Sequence, residues 1–164
     1  MRTRAAYFGV FTALALIFSY LESLIPIQFG IPGIKLGLAN LLTVILLYKR
    51  NAKEAMLLSA VRVILSGFMF GNLFSIVYSL AGGIMSLLVM AVLKRSGKFS
   101  VIGVSTAGGV SHNIGQLLVA MAAVETYRVG YYFPVLLIAG VLTGLLIGTA
   151  AEQVLKRLEN FRFG

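Results

Sequence analysis

The sequence contains no cysteine and no aspartate, and its five carboxylates are Glu22, Glu54, Glu125, Glu152 and Glu159. Without cysteine there is neither a disulfide nor thiolate chemistry. With the glutamates scattered, no carboxylate cluster exists to hold Mg²⁺ against a diphosphate. The single histidine, His112, has no cysteine beside it and no second ligand for a zinc site. No glycine-rich loop ends in Gly-Lys-Ser/Thr, so the chain has no ATPase of its own, and any uptake would need a partner or an ion gradient. Neither enzymatic chemistry nor a resident cofactor or metal is expected.

Charge is also scarce. Only 12% of the 164 residues are charged and 59% are hydrophobic, with mean hydropathy +0.96, whereas soluble domains carry about 25% charged residues. A soluble core of this size could not hide so much apolar surface, so lipid must solvate most of it. The net charge of +9 and pI near 10.2 would fit nucleic acid if the basic residues formed one patch. They lie instead in short clusters between long apolar runs, which excludes that reading.

A hydrocarbon core of about 30 Å needs about 20 helical residues. Six apolar runs are bounded by charge or by Pro and Gly, at Ala5–Ile25, Ile34–Tyr48, Ala55–Gly71, Leu73–Leu93, Phe99–Val124 and Phe133–Leu155. The second and third are short, as expected of helices that stop beside a cavity within the bilayer. The basic N-terminus before the first run resembles a signal peptide. That run is too long and lacks a convincing cleavage site, so it is expected to be a retained helix.

Arg2, Arg4, Lys49, Arg50, Lys53, Lys94, Arg95, Lys98, Lys156, Arg157 and Arg162, eleven of the fourteen basic residues, fall on one side of the runs. Lys35 and Arg128 fall on the other, and Arg62 lies inside a helix. This asymmetry places both termini in the cytoplasm, in a multi-pass protein of the cell membrane. The outer loops are then Pro26 to Gly33, Phe70 to Asn72 and Glu125 to Tyr132, where Tyr127, Tyr131 and Tyr132 suit an interfacial aromatic belt. Ala81-Gly82-Gly83 and Ala107-Gly108-Gly109 echo each other too briefly for a duplication. They read as two close-packing sites in one domain spanning residues 1–164.

Polar residues at membrane depth are costly and usually face the bundle interior or a watery path. In the fifth run Ser105, Gly108, Gly109, His112, Asn113 and Gln116 share one helical face, opposite Ile114, Leu117 and Leu118. A binding site is the reading preferred. The alternative is interhelical hydrogen bonding, worth about 0.6 kcal/mol on average. Glu22, Lys35, Asn40, Asn72, Glu125 and Arg128 fall at the same outer depth and would rim a pocket, or for the charged ones form an ordinary solvated interface. Arg62 needs a carboxylate, carbonyls or water as partner, and substrate contact and structural anchoring both remain open. The charges lean toward an anionic or zwitterionic solute. Small residues recur every fourth position at Ala5, Gly9 and Ala13, and at Gly140, Gly144 and Gly148. Both stripes allow close helix approach, the second for internal packing and the first for docking another membrane subunit.

Pro32-Gly33-Ile34-Lys35-Leu36-Gly37-Leu38-Ala39-Asn40, Arg62-Val63-Ile64-Leu65-Ser66-Gly67 and Gly109-Val110-Ser111-His112-Asn113-Ile114-Gly115-Gln116 resemble the Gx transporter family, also labelled heptaprenyl diphosphate synthase component I. That family in turn resembles the S components of energy-coupling-factor vitamin transporters. The resemblance implies an all-α S-component-like bundle that binds a small molecule, anionic or a vitamin or flavin, near the outer face. It also implies a transmembrane coupling subunit carrying two ATPases as partner. Ala5, Gly9 and Ala13 are similar to the Ala-x-x-x-Ala pattern of that contact, with Gly in place of the central Ala. The synthase label implies instead a non-catalytic membrane accessory subunit, since prenyl synthase catalysis resembles Asp-rich metal chemistry. An assembly subunit for a membrane flavin or quinone redox system is a further alternative.

Overall fold

A computed structural model describes residues 2–24 and 37–159. Among these residues the chain is all helical, with six α-helices: α1 (Arg2–Leu24), α2 (Leu38–Lys49), α3 (Ala52–Phe70), α4 (Leu73–Ser96), α5 (Val101–Val124) and α6 (Phe133–Arg157). Four of them, α1, α4, α5 and α6, are long and apolar enough to cross a membrane.

The helix limits follow from caps that hydropathy does not register. The expected start of the third helix at Ala55 moves back to Ala52 because the Asn51 side chain accepts the backbone N–H of Glu54, a Ncap bond that begins the helix among charged residues. Ser100 does the same for α5, accepting from the N–H of Gly103, so that helix starts at Val101 rather than Phe99. The loop expected between the fifth and sixth helices instead contains a 3-10 helix, Tyr127–Tyr132. Its Tyr127 and Tyr131 are 89% and 85% exposed, as an interfacial belt requires.

The second helix is shorter than expected. It begins at Leu38, directly after Gly37 at φ 76°, a left-handed conformation open to glycine without a Cβ penalty. The expected start at Ile34 lies outside the described residues. At 12 residues, α2 is about 18 Å long and cannot cross a 30 Å hydrocarbon core alone. It is instead the centre of the bundle, packed on α1, α3 and α6, with Leu42, Thr43, Val44, Ile45, Leu46 and Leu47 all buried.

Glycine governs the tightest pair. A Cβ on Gly109 would lie 2.4 Å from the Gly140 carbonyl, one on Gly144 would lie 2.5 Å from Thr106 Cα, and one on Gly148 would lie 2.8 Å from Ile102 Cα. The stripe Gly140, Gly144 and Gly148 therefore packs α6 backbone to backbone on α5, as its spacing predicted. On another face of α5, Gly115 meets the Ala81 carbonyl of α4 at 2.9 Å in the same sense. The two Ala-Gly-Gly segments are close-packing sites.

At the bundle end where α2 and α6 finish, the basic clusters also serve the fold. Lys94 Nζ donates to the Leu47 carbonyl and stands 5.1 Å from the centre of the Tyr48 ring, while Lys49 Nζ donates to the Leu158 carbonyl. Both satisfy carbonyls that helix ends leave unpaired. Nearby, Tyr7 Oη on α1 donates to Glu54, whose carboxyl is held below the usual carboxylate range by its hydrogen bonds from Arg50 and Tyr7.

Candidate functional site

At the opposite end, where α1 finishes, α2 starts and α3 turns into α4, the helices line a partly open cavity of about 130 Å³. All six helices line it. Along α4 the lining runs from Ser75 to Met90, about 22 Å at 1.5 Å per residue, so the cavity reaches deep between the helices.

The α5 face read from helical spacing is the face turned to this cavity. Ser105, Gly108, Gly109, His112, Asn113 and Gln116 all line it. Of the face expected to lie opposite, Leu118 is exposed while Leu117 is buried, because α5 is surrounded by α4 and α6 on both flanks. Gln116 is itself buried. His112 sits against α4, its Nε2 lying 3.0 Å from where a Cβ on Gly82 would stand. Asn113 serves two purposes, lining the cavity while its Nδ2 donates to the Leu136 carbonyl of α6 at 2.7 Å. That bond fixes its amide orientation and ties α5 to α6.

Arg62 projects from α3 into the same space and finds the partners that the sequence could not identify. Its Nη2 donates to Asn40 Oδ1 of α2 at 3.1 Å, and its Nη1 donates to Ser19 Oγ of α1 at 3.5 Å. Neither partner is charged. The Nε atom is buried and has no hydrogen-bond partner among the described residues, a condition that costs about 1–3 kcal/mol for a polar group.

The carboxylate whose charge acts on Arg62 is Glu22, expected from its depth to rim the pocket or to belong to a solvated interface. No ion pair joins the two among the described residues. Glu22 Oε1 instead accepts the backbone N–H groups of Gly37 at 2.5 Å and Leu38 at 3.1 Å. Gly37 has no side chain with which to cap α2, so Glu22, fifteen residues earlier, supplies the missing acceptor at the positive end of the helix dipole.

Other rim residues are not brought in. Asn72 is the Ncap of α4, its Oδ1 accepting from the Ser75 N–H while Ser75 Oγ accepts from the Asn72 N–H. Its amide is thereby committed to the helix end, and Ser75 rather than Asn72 lines the cavity. Glu125 and Arg128 are exposed and likewise lie outside the lining. Lys35 falls outside the described residues.

What spacing alone did not find is a set of hydroxyls. Ser19, Ser23, Ser66, Ser75, Ser79 and Ser86 join Ser105 in the lining. Ser75, Ser79 and Ser86 stand four and seven residues apart on α4, a helical period that would have marked one face. The arrangement offers donors and acceptors on every side, one guanidinium with a free N–H, and a carboxylate already engaged by backbone.

No curated protein and no solved structure matches the chain. The sequence model of one family, described as "Heptaprenyl diphosphate synthase component I", matches residues 11–154. These include every described residue of the cavity lining, and the chain belongs to that family.

Proposed function

We propose that the protein is the membrane-embedded, solute-binding subunit of an uptake transporter of the energy-coupling-factor type. The six-helix bundle is embedded in the cell membrane, with the short α2 held in its centre, both termini cytoplasmic and the cavity facing outward. The observation that carries this reading is the cavity itself. Asn40, Arg62, His112, Asn113 and Gln116 converge on one partly open cavity between the helices, in a chain whose long apolar helices suit lipid. Structural hydrogen bonding accounts for Asn113 and for part of Arg62, but not for a chamber lined along α4 from Ser75 to Met90.

The orientation is testable in this cysteine-free chain. Single cysteines at Asn51 or Ser96, both exposed at the basic end of the bundle, are expected to be shielded from an impermeant thiol reagent in intact cells. One at Tyr131 is expected to react. Labelling at Asn51 would reverse the assignment.

The partner face is supported by α1. Ala5, Gly9 and Ala13 are all exposed, and a Cβ on Gly9 would meet nothing within 4 Å. Among the described residues nothing packs on Gly9 of this stripe, which leaves it open to a coupling subunit by close helix approach. Gly9→Leu is expected to reduce copurification with that subunit while leaving the melting temperature of the isolated protein unchanged. Undiminished copurification would remove the stripe from the docking surface.

The family description favours a second reading, a membrane accessory subunit of a heptaprenyl diphosphate synthase. The two readings part on what copurifies in mild detergent: a membrane coupling subunit with two ATPases, or a soluble prenyl synthase subunit.

A further inference from the structure

Arg62 carries five N–H donors. Among the described residues Ser19 and Asn40 accept from one Nη each, which leaves three donors, and the buried Nε–H is one of them, with no acceptor there. A guanidinium in this state is poised for a planar acceptor with two oxygens, since Arg presents a rigid fork that matches a carboxylate.

The charges around it leave room for one anion. Among the described lining residues Glu22 is the charged counterpart, but its Oε1 is held by the Gly37 and Leu38 amides at the start of α2. That helix end contributes the equivalent of about half a positive charge. Arg62 and the α2 terminus together therefore exceed the single charge of Glu22.

The rest of the lining limits what the anion is attached to. The cavity, about 130 Å³, is close to the roughly 150 Å³ that holds one benzene in an engineered cavity. Its walls are rich in serine hydroxyls, with Thr143 and the Gln116 amide among them, and Phe70 is the one Phe or Tyr among the described lining residues. A flavin would need more room and flat aromatic faces to stack on. A prenyl chain would need an apolar channel. Ser23, Ser66 and Ser75 donate to carbonyls of their own helices, which leaves their oxygens as acceptors for a solute that carries hydroxyls of its own.

We infer that the cavity binds a small hydroxylated monocarboxylate, its carboxylate on the free N–H groups of Arg62 and its hydroxyls on the serine-lined wall. The inference rests on the solute-binding reading and names the solute class for it.

The test uses the full chain in mild detergent, titrated with glycerate, glycerol and propionate. Glycerate and glycerol differ by a carboxylate in place of a hydroxymethyl group, and propionate keeps the carboxylate without the hydroxyls. Glycerate is expected to bind at least tenfold more tightly than either. Arg62→Gln is expected to erase the advantage over glycerol, and Arg62→Lys to retain part of it. Should Arg62→Gln not fold, the wild-type comparison alone decides. Equal binding of glycerol and glycerate would overturn the carboxylate assignment, and equal binding of propionate the hydroxyl assignment. Failure of all three to bind would overturn the inference as a whole. A larger copurifying solute would do the same while leaving the transport reading intact, whereas glycerate binding without any copurifying coupling subunit would defeat the transport reading and leave this one standing.

Discussion

Gly144→Leu is expected to yield no folded protein. A Cβ at this position would already lie 2.5 Å from Thr106 Cα and 2.8 Å from the Ser105 carbonyl, and both are backbone atoms that no rotamer change can move. Leucine adds a branched chain beyond that Cβ. Relief would require α6 to separate from α5 along the whole seam formed with Gly109, Gly140 and Gly148, which would open the wall carrying His112 and Asn113. Overpacking typically costs about 1–3 kcal/mol where side chains can adjust. Here they cannot, and total stabilities are only about 5–15 kcal/mol. Gly144→Ala gives the graded version, with a melting temperature expected to fall by about 5 °C or more. Size-exclusion chromatography and thermal melting of both variants check this, and a Gly144→Leu protein that melts like the wild type would contradict the close α5–α6 contact.

The contrast with Gly9 shows what spacing can and cannot say. Both stripes repeat every fourth residue, and spacing alone does not separate the one expected to pack internally from the one expected to dock a partner. In the folded chain a Cβ at Gly109 or Gly144 would meet backbone under 3 Å away, while one at Gly9 would meet nothing within 4 Å. Which helix, if any, fills the groove is decided by tertiary packing that local pattern does not encode.

The cavity was legible to the extent that it follows helical period. The α5 face from Ser105 to Gln116 stands out because glycines and large polar groups interrupt an otherwise apolar run at three- and four-residue steps. The α4 hydroxyls were hidden by their chemistry. Serine is nearly neutral in hydropathy and can return its hydroxyl to its own helix, as Ser66 Oγ does to the Val63 carbonyl. Asn72 lies outside the described lining for a different reason. The pair Asn72 and Ser75 is a local capping signature, which depth in the bilayer does not register. Glu22 lay beyond reach of any local rule, because its role as cap for α2 spans fifteen residues and depends on Gly37 having no side chain to offer.

The solute-binding account is tested most directly at His112, whose ring stands against α4 in the cavity wall beside Gln116 and Asn113. The decisive measurement is to purify the full chain in mild detergent and identify the bound solute by mass spectrometry. That solute is then titrated back into wild-type and His112→Ala protein, with melting curves recorded without it. A hydrogen bond to a charged group contributes about 1.5–3 kcal/mol, so affinity is expected to fall roughly tenfold or more while the unliganded melting temperature stays near that of the wild type. An unchanged affinity with a lowered melting temperature would contradict the account, for it would mean that His112 joins helices and the cavity is not a solute site.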